Sequence, residues 1–151
     1  MEKEKVVHTQ ESIIEGTHEH REDVAKLFEA LIDEIIIRVL AHDNDKLVSS
    51  NAKILADALN NRDFTKWSKT HMETQRHHNE WIVSNVYNGK TNLIDLLEMI
   101  VDSVAANKRR SGKKPEFVDE YLFFVSKGYD KQLATILANT FIQFYDKYEI
   151  E

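Results

Sequence analysis

The chain has 151 residues, of which 42% are hydrophobic, and a formal net charge of −6. This length suits one domain with one core. The absence of cysteine excludes a disulfide framework, a thiolate zinc site and a cysteine nucleophile. The negative charge disfavours extended contact with nucleic acid, which needs an excess of Lys and Arg.

Glycine and proline, the residues that punctuate turns, occur only four times and once. Their scarcity favours a few long elements over a many-stranded sheet. We therefore predict an all-α fold, a single helical bundle of about six helices over residues 1–151. The charged start Met1–Lys5 does not resemble a signal peptide, and apolar runs such as Ile35–Ile37 are too short to span a membrane. We expect a cytoplasmic protein without membrane contact.

Apolar spacing predicts two helices in the first part of the chain. The first is a weak helix over about residues 4–15 that ends near Gly16, and the second begins at Thr17 or His18 and extends to His42. The second helix carries apolar residues at the spacing of a buried stripe. These residues are Val24, Leu27, Phe28 and Leu31.

Five further helices follow, with start signals at most of their first turns. The first is predicted over about residues 50–60, and the second runs from the cap Asp63 through His71, His78 and Trp81. The third runs from Thr91 or Asn92 to about Arg110. The last two run from Pro115 to Gly128 and from the cap Asp130 to the end. Residues 18–110 hold the candidate site residues, and 115–149 are interpreted as scaffold. The aromatic last helix can serve as core or as a dimer face, so the oligomeric state stays open, with core favoured.

Histidine and acidic side chains cluster at spacings that could bind a metal ion. His42 and Asp43 are adjacent at a helix end, and together they offer an imidazole and a carboxylate. On a continuous helix His71 and His78 lie nearly in line, whereas His77 points about 100° away, so one helix would not aim all three at one ion.

Glu98 and Asp102 lie four residues apart on one face of the fifth helix, among apolar residues. Two carboxylates on a largely buried face repel each other unless a cation lies between them. The basic run that includes Lys108 and Arg109 has two possible roles. Its cations are either solvated at the end of that helix, where they suit the helix dipole, or they form a rim that attracts a phosphate substrate.

These residues, in this order, resemble the signature of HD-domain metal phosphohydrolases. The signature reads His, then His-Asp, then Asp, and the matching residues are His20, His42, Asp43 and Asp102. The closer resemblance, over roughly residues 18 to 110, is to a family of helical proteins of unknown function, DUF5662. Its three motifs resemble the runs His42 to Lys46, His71 to Glu80 and Glu98 to Asp102, with Asp45 at a position where that family prefers Ser.

The resemblance implies a divalent metal ion, Mn, Fe, Co, Ni or Zn with Mg also allowed, and a nucleotide or other small phosphate ester as substrate. His20, His42, Asp43 and Asp102 would hold the ion, and His71 or His78 would complete a second site. Glu80 and Glu98 are the candidates to orient or deprotonate water. Phosphate would bind Lys46, His77, Lys108 and Arg109. Lys46 stands where HD-type nucleotidases often carry a catalytic Glu.

The resemblance also sets a geometric condition. On an unbroken helix His20 and His42 would be roughly 33 Å apart and could not share an ion. It therefore requires a bend, for which Asp33 is the candidate cap.

Two other functions stay open. Glu98 and Asp102 also resemble the carboxylate helix of the all-helical, MazG-like nucleotide pyrophosphohydrolases, which use Mg. Alternatively, the chain is a non-catalytic protein that keeps the fold and binds a nucleotide or a protein, and Lys46 in place of an acid motivates that hypothesis.

Overall fold

Seven α-helices and no strand occur in residues 9–110 and 113–147, the parts of the chain that the structure, a computed structural model, describes. The predicted all-α class is therefore confirmed. The backbone divides after His42 into two units, which are described separately. None of the helices in the described ranges is long and apolar enough to cross a membrane.

The described part of the first unit is one unbroken helix, α1, over Gln10–Ala41. Thr9 caps it, and the side chains of Thr9 and Ser12 each accept a hydrogen bond from the other residue's backbone N–H. The predicted break near Gly16 is wrong, because a glycine inside a helix costs only about 0.5–1 kcal/mol and the Thr17 hydroxyl donates back to the carbonyl of Ile13. Residues 4–8 of the predicted first helix lie outside the described ranges.

The stripe predicted to be buried on this helix is mostly exposed, with Val24 half-buried. Within α1 no residue is buried, and Leu27 and Phe28 are 72% and 58% exposed. A stripe of apolar residues needs a second element to cover it, and the described part of this unit is a single helix.

The described residues of the second unit form six α-helices and several short turns. After a 3-10 turn at Asn44–Leu47, its helices are α2 (Ser49–Asn61), α3 (Thr65–Trp67), α4 (Asn79–Asn85), α5 (Leu93–Arg110), α6 (Phe117–Ser126) and α7 (Lys131–Lys147). Helix α7 packs against α5 and α6. The core lies among α4 to α7 and includes Ile82, Ile100, Phe124, Leu137 and Phe141.

The sequence signals for α5 and α7 are confirmed at the atomic level. Asn92 Oδ1 accepts the backbone N–H groups of Ile94 and Asp95, and Asp130 Oδ1 accepts those of Gln132 and Leu133. Pro115 lies before the cap residue of α6 rather than in its first turn, since α6 begins at Phe117. In the last helix Phe141 and Tyr145 are core residues, while Tyr148 lies outside the described ranges.

The prediction of one continuous helix from Asp63 to Trp81 is wrong. Helix α3 passes into a π-helical turn at Ser68–Met72, residues 73–78 form a loop, and α4 starts at Asn79. Arg76 accounts for the interruption, because its guanidinium donates to both carboxylate oxygens of Asp95 at 2.9 and 3.1 Å. We call residues 73–78 the histidine loop.

This ion pair generates a stability prediction. The Asp95 side chain is fully buried, and it also accepts the backbone N–H of Asn92. We expect Asp95→Ala to lower the free energy of unfolding by about 2–3 kcal/mol, because a buried position loses the charge-assisted hydrogen bonds that Asp95 accepts from Arg76 and the one it accepts from Asn92. Asp146→Ala, which removes an exposed ion pair with Lys114, should change it by less than about 0.5 kcal/mol. Urea unfolding of both variants measures the difference, and equal losses would contradict the role given to Asp95.

Candidate metal centre

The second unit brings acidic and histidine side chains from four elements toward one place. Asp43 opens the unit with a left-handed backbone (φ 57°), a conformation that Asp tolerates better than most residues. The side chains come from the 3-10 turn, the π-helical turn, the histidine loop and α5. They are Asp43, Asp45 and Lys46; His71; His77 and His78; and Glu98 and Asp102.

His71 is fully buried and stacks on Trp67, with ring centroids 4.4 Å apart. Its Nδ1 lies 2.7 Å from Oδ2 of Asp45. A carboxylate at this distance is an acceptor, so Nδ1 carries the proton. The lone pair of the neutral ring is then on Nε2.

His77 is arranged in the same way from the other side. The ring is 3% exposed, and its Nδ1 lies 3.3 Å from Oε1 of Glu98 on α5. Its Nε2 lies 3.6 Å from Oδ1 of Asp43. His77 therefore points toward Asp43 together with His71, whereas on the predicted continuous helix it would point about 100° away from His78.

Four potential ligand atoms converge as a result. Nε2 of His71 is 3.4 Å from Oδ1 of Asp43 and 2.8 Å from Nε2 of His78. Four ligands at about 2.0–2.1 Å from a tetrahedral ion are separated by about 3.3 Å. The two distances to Asp43 are close to that value, and His78 would have to move outward by about half an ångström to complete the shell. Three imidazoles and one carboxylate could therefore hold one ion.

The protonation of the histidines suits metal binding. Burial lowers the pKa of His78 to about 4, helped by the neighbouring His77, while the Asp102 carboxylate acts in the opposite direction. Burial also lowers the pKa of His71 despite its contact with Asp45. Both rings are neutral at pH 7, the form in which imidazole binds a metal.

Several predicted site residues thus meet in the second unit. Lys46 forms an ion pair with Oδ2 of Asp43, and the carboxylates of Asp43 and Asp102 approach within 4.8 Å. The predicted residues that converge here are Asp43, Lys46, His71, His77, His78, Glu98 and Asp102.

Other predicted residues have different surroundings. Glu80 faces Lys127, 3.7 Å away. The ammonium group of Lys108 lies over the ring of Tyr145, 4.5 Å from its centroid, and Arg109 is exposed. No phosphate-binding rim is evident from these contacts.

The proposed ligand set that included both His20 and His42 is wrong for a single ion. Both residues belong to the first unit, where His20 lies within α1 and His42 caps its end. The helix has no bend at Asp33, so the two residues are roughly 33 Å apart along its axis. The bend between His20 and His42 that the HD-like signature requires is therefore absent from α1.

Asp45 was missed as a site residue. The sequence indicated only that Asp45 departs from a family motif. Its contact with His71 joins residues 26 positions apart, and no local sequence pattern predicts such a contact. Its spacing of two residues from Asp43 was the one available signal.

The lowered pKa of His78 predicts a pH-dependent stability in the presence of a chelator. Between pH 6.5 and about 4 the unfolded chain binds this proton and the folded chain does not, so stability is lost as pH falls through that window. We expect a loss on the order of 2 kcal/mol, reduced from the full shift because the ring is partly exposed. Unfolding at pH 7.5, 5.5 and 4 should show this loss in the wild type and less of it in His78→Gln. The same change at the exposed His18 should leave the pH dependence intact, and an unchanged dependence in His78→Gln would contradict the assignment.

Comparison with known proteins places this chain in a family. Neither the curated proteins nor the solved structures gave a match. The sequence matches a family of unknown function, DUF5662, over residues 9–143, which covers most of the chain and every residue of the centre. The chain therefore belongs to the DUF5662 family.

Proposed function

We propose that this protein is a metal-dependent phosphohydrolase that acts on a small phosphate ester, with a nucleotide as the favoured substrate. The observation that carries the proposal is the convergence of three imidazole Nε2 atoms and one carboxylate oxygen in the second unit. The resemblance of the motifs to HD-type phosphohydrolases adds support, although His20 takes no part in the centre as proposed.

The ligand atoms indicate which ions are favoured. Neutral imidazoles suit Zn, Co, Ni, Fe or Mn, whereas Mg prefers oxygen ligands and retains water. When bound, such an ion would lower the pKa of a coordinated water and polarise a phosphoryl oxygen. The ligands in this proposal are His71, His77, His78 and Asp43.

The chain's own groups would supply the remaining steps. Lys46, which lies against Asp43, would bind a phosphate oxygen and offset its charge. Asp102 would accept the proton of the attacking water, because its carboxylate lies beside the proposed ligands, within 4.8 Å of that of Asp43 and close enough to His78 to affect its pKa. Asp102 thus replaces Glu80 and Glu98 as the proposed base. A small ester fits better than a polymer, since the net charge is −6.

A second candidate is a metal-dependent nucleotide-binding protein without turnover. The specific observation that favours it is Lys46, which forms an ion pair with Asp43 at the position where HD-type nucleotidases often carry a catalytic Glu. The MazG-like alternative has less support, because Glu98 contacts a histidine and we find no second acidic helix facing α5 in the described residues.

Metal analysis of the protein purified without an affinity tag tests the centre. We expect about one equivalent of a transition metal, and its loss in His71→Ala and His77→Ala, because each removes a nitrogen ligand. His20→Ala should keep the wild-type metal content. Absence of metal from the wild type, even after incubation with Mn, Co and Zn, would refute the proposed function.

Hydrolysis tests the reaction. The metal-loaded protein should release phosphate or nucleoside from p-nitrophenyl phosphate or a panel of nucleotides. Lys46→Met should raise KM by about tenfold, because one charge-assisted contact to phosphate is lost. Lys53→Met, on α2, is the matched control. Metal-dependent nucleotide binding with no product formed would favour the second candidate.

A further inference from the structure

We infer that Asp45 and Glu98 are positioning residues of the metal centre, each fixing a histidine ring so that Nε2 is presented to the ion. The inference rests on the metal site of the proposed function. It assigns to both carboxylates a role other than ligand or catalytic base.

The contact of Asp45 fixes the ring of His71. Oδ2 of Asp45 accepts from Nδ1 at 2.7 Å, and the two nitrogens of an imidazole point to opposite sides of the ring. The face-to-face contact with Trp67 holds the plane of the same ring. Tautomer and orientation of His71 are therefore both determined before an ion arrives.

The contact of Glu98 fixes the ring of His77 from a different element. Glu98 is on α5, and its side chain is mostly buried, with 14% exposed. Its Oε1 faces Nδ1 at 3.3 Å, and Nε2 on the opposite side of the ring faces Asp43. The arrangement repeats that of Asp45 and His71 with a different carboxylate and a different histidine, and both rings face Asp43.

This pairing has a chemical consequence for the ion. Histidine ligands that donate their second N–H to a carboxylate are oriented and made more basic, and loss of such a partner typically weakens metal binding by about 10- to 100-fold. The two carboxylates also reduce the positive charge of a buried ion without occupying its coordination positions. A coordination position would therefore be available to water or substrate if one ligand were displaced.

Cobalt binding by the full chain tests the inference. We would measure the Kd for Co(II) by calorimetry and record the visible absorption of the complex in Asp45→Ala, Glu98→Ala, Asp45→Asn and Glu98→Gln. The alanine variants should bind Co(II) about 10- to 100-fold more weakly than the wild type. The amide variants should lose less, about three- to tenfold, because an amide oxygen still accepts the Nδ1 proton.

The absorption spectrum separates positioning from ligation. In all four variants the band should keep the position and intensity of the wild-type complex, because no ligand is lost. His71→Ala should shift it. Glu73→Gln, an exposed change within the histidine loop, is the matched control and should leave both Kd and spectrum unchanged.

The outcomes distinguish this inference from the proposed function. If the wild type does not bind Co(II), the metal centre itself is refuted and this inference with it. If the wild type binds and the variants bind equally well, the metal centre stands and the positioning role is overturned. A spectrum altered in the Asp45 or Glu98 variants would identify that carboxylate as a ligand and overturn its positioning role. If an alanine variant does not fold, the amide variant decides, and wild-type affinity there overturns the inference.

Discussion

The ion pair between Arg76 and Asp95 is the constraint on which the centre depends. It joins the histidine loop to the first turn of α5, and it is bidentate on a fully buried carboxylate. His77 and His78 follow Arg76 directly in the chain, so fixing Arg76 limits where their rings can lie. Glu98 stands one helical turn beyond Asp95 on α5, which brings its carboxylate to the same region.

Burial then determines the chemistry of the cluster. Rings that are shielded from water lose the charged form, and neutral imidazoles are ligands rather than counter-ions. The carboxylates of Asp45 and Glu98 face the Nδ1 atoms of His71 and His77. A dense group of histidines that would be costly as cations becomes stable as a set of neutral donors and acceptors.

The sequence was sufficient for the all-α class, for α2 and α5, and for the caps Asn92 and Asp130, because these depend on local signals. It also selected most residues of the centre by type. It failed for α1, where one glycine was too weak a signal to end a helix, and for residues 73–78. There apolar and histidine spacing predicted a helix, but a contact 19 residues away overrides local preference. The role of Asp45 likewise arises only from tertiary contact.

Because residues 73–78 form a loop, the number of residues between the histidines does not determine the directions in which their side chains point. In a helix, one added residue would rotate every later side chain by about 100° and scatter the ligands. Here the segment between His71 and the His77–His78 pair is irregular, and loops absorb length changes with little cost in free energy. The distance between the ligands is set by anchors at both ends, Trp67 under His71 and Asp95 at Arg76. Homologues could therefore differ in the number of residues between these histidines and still assemble the same centre.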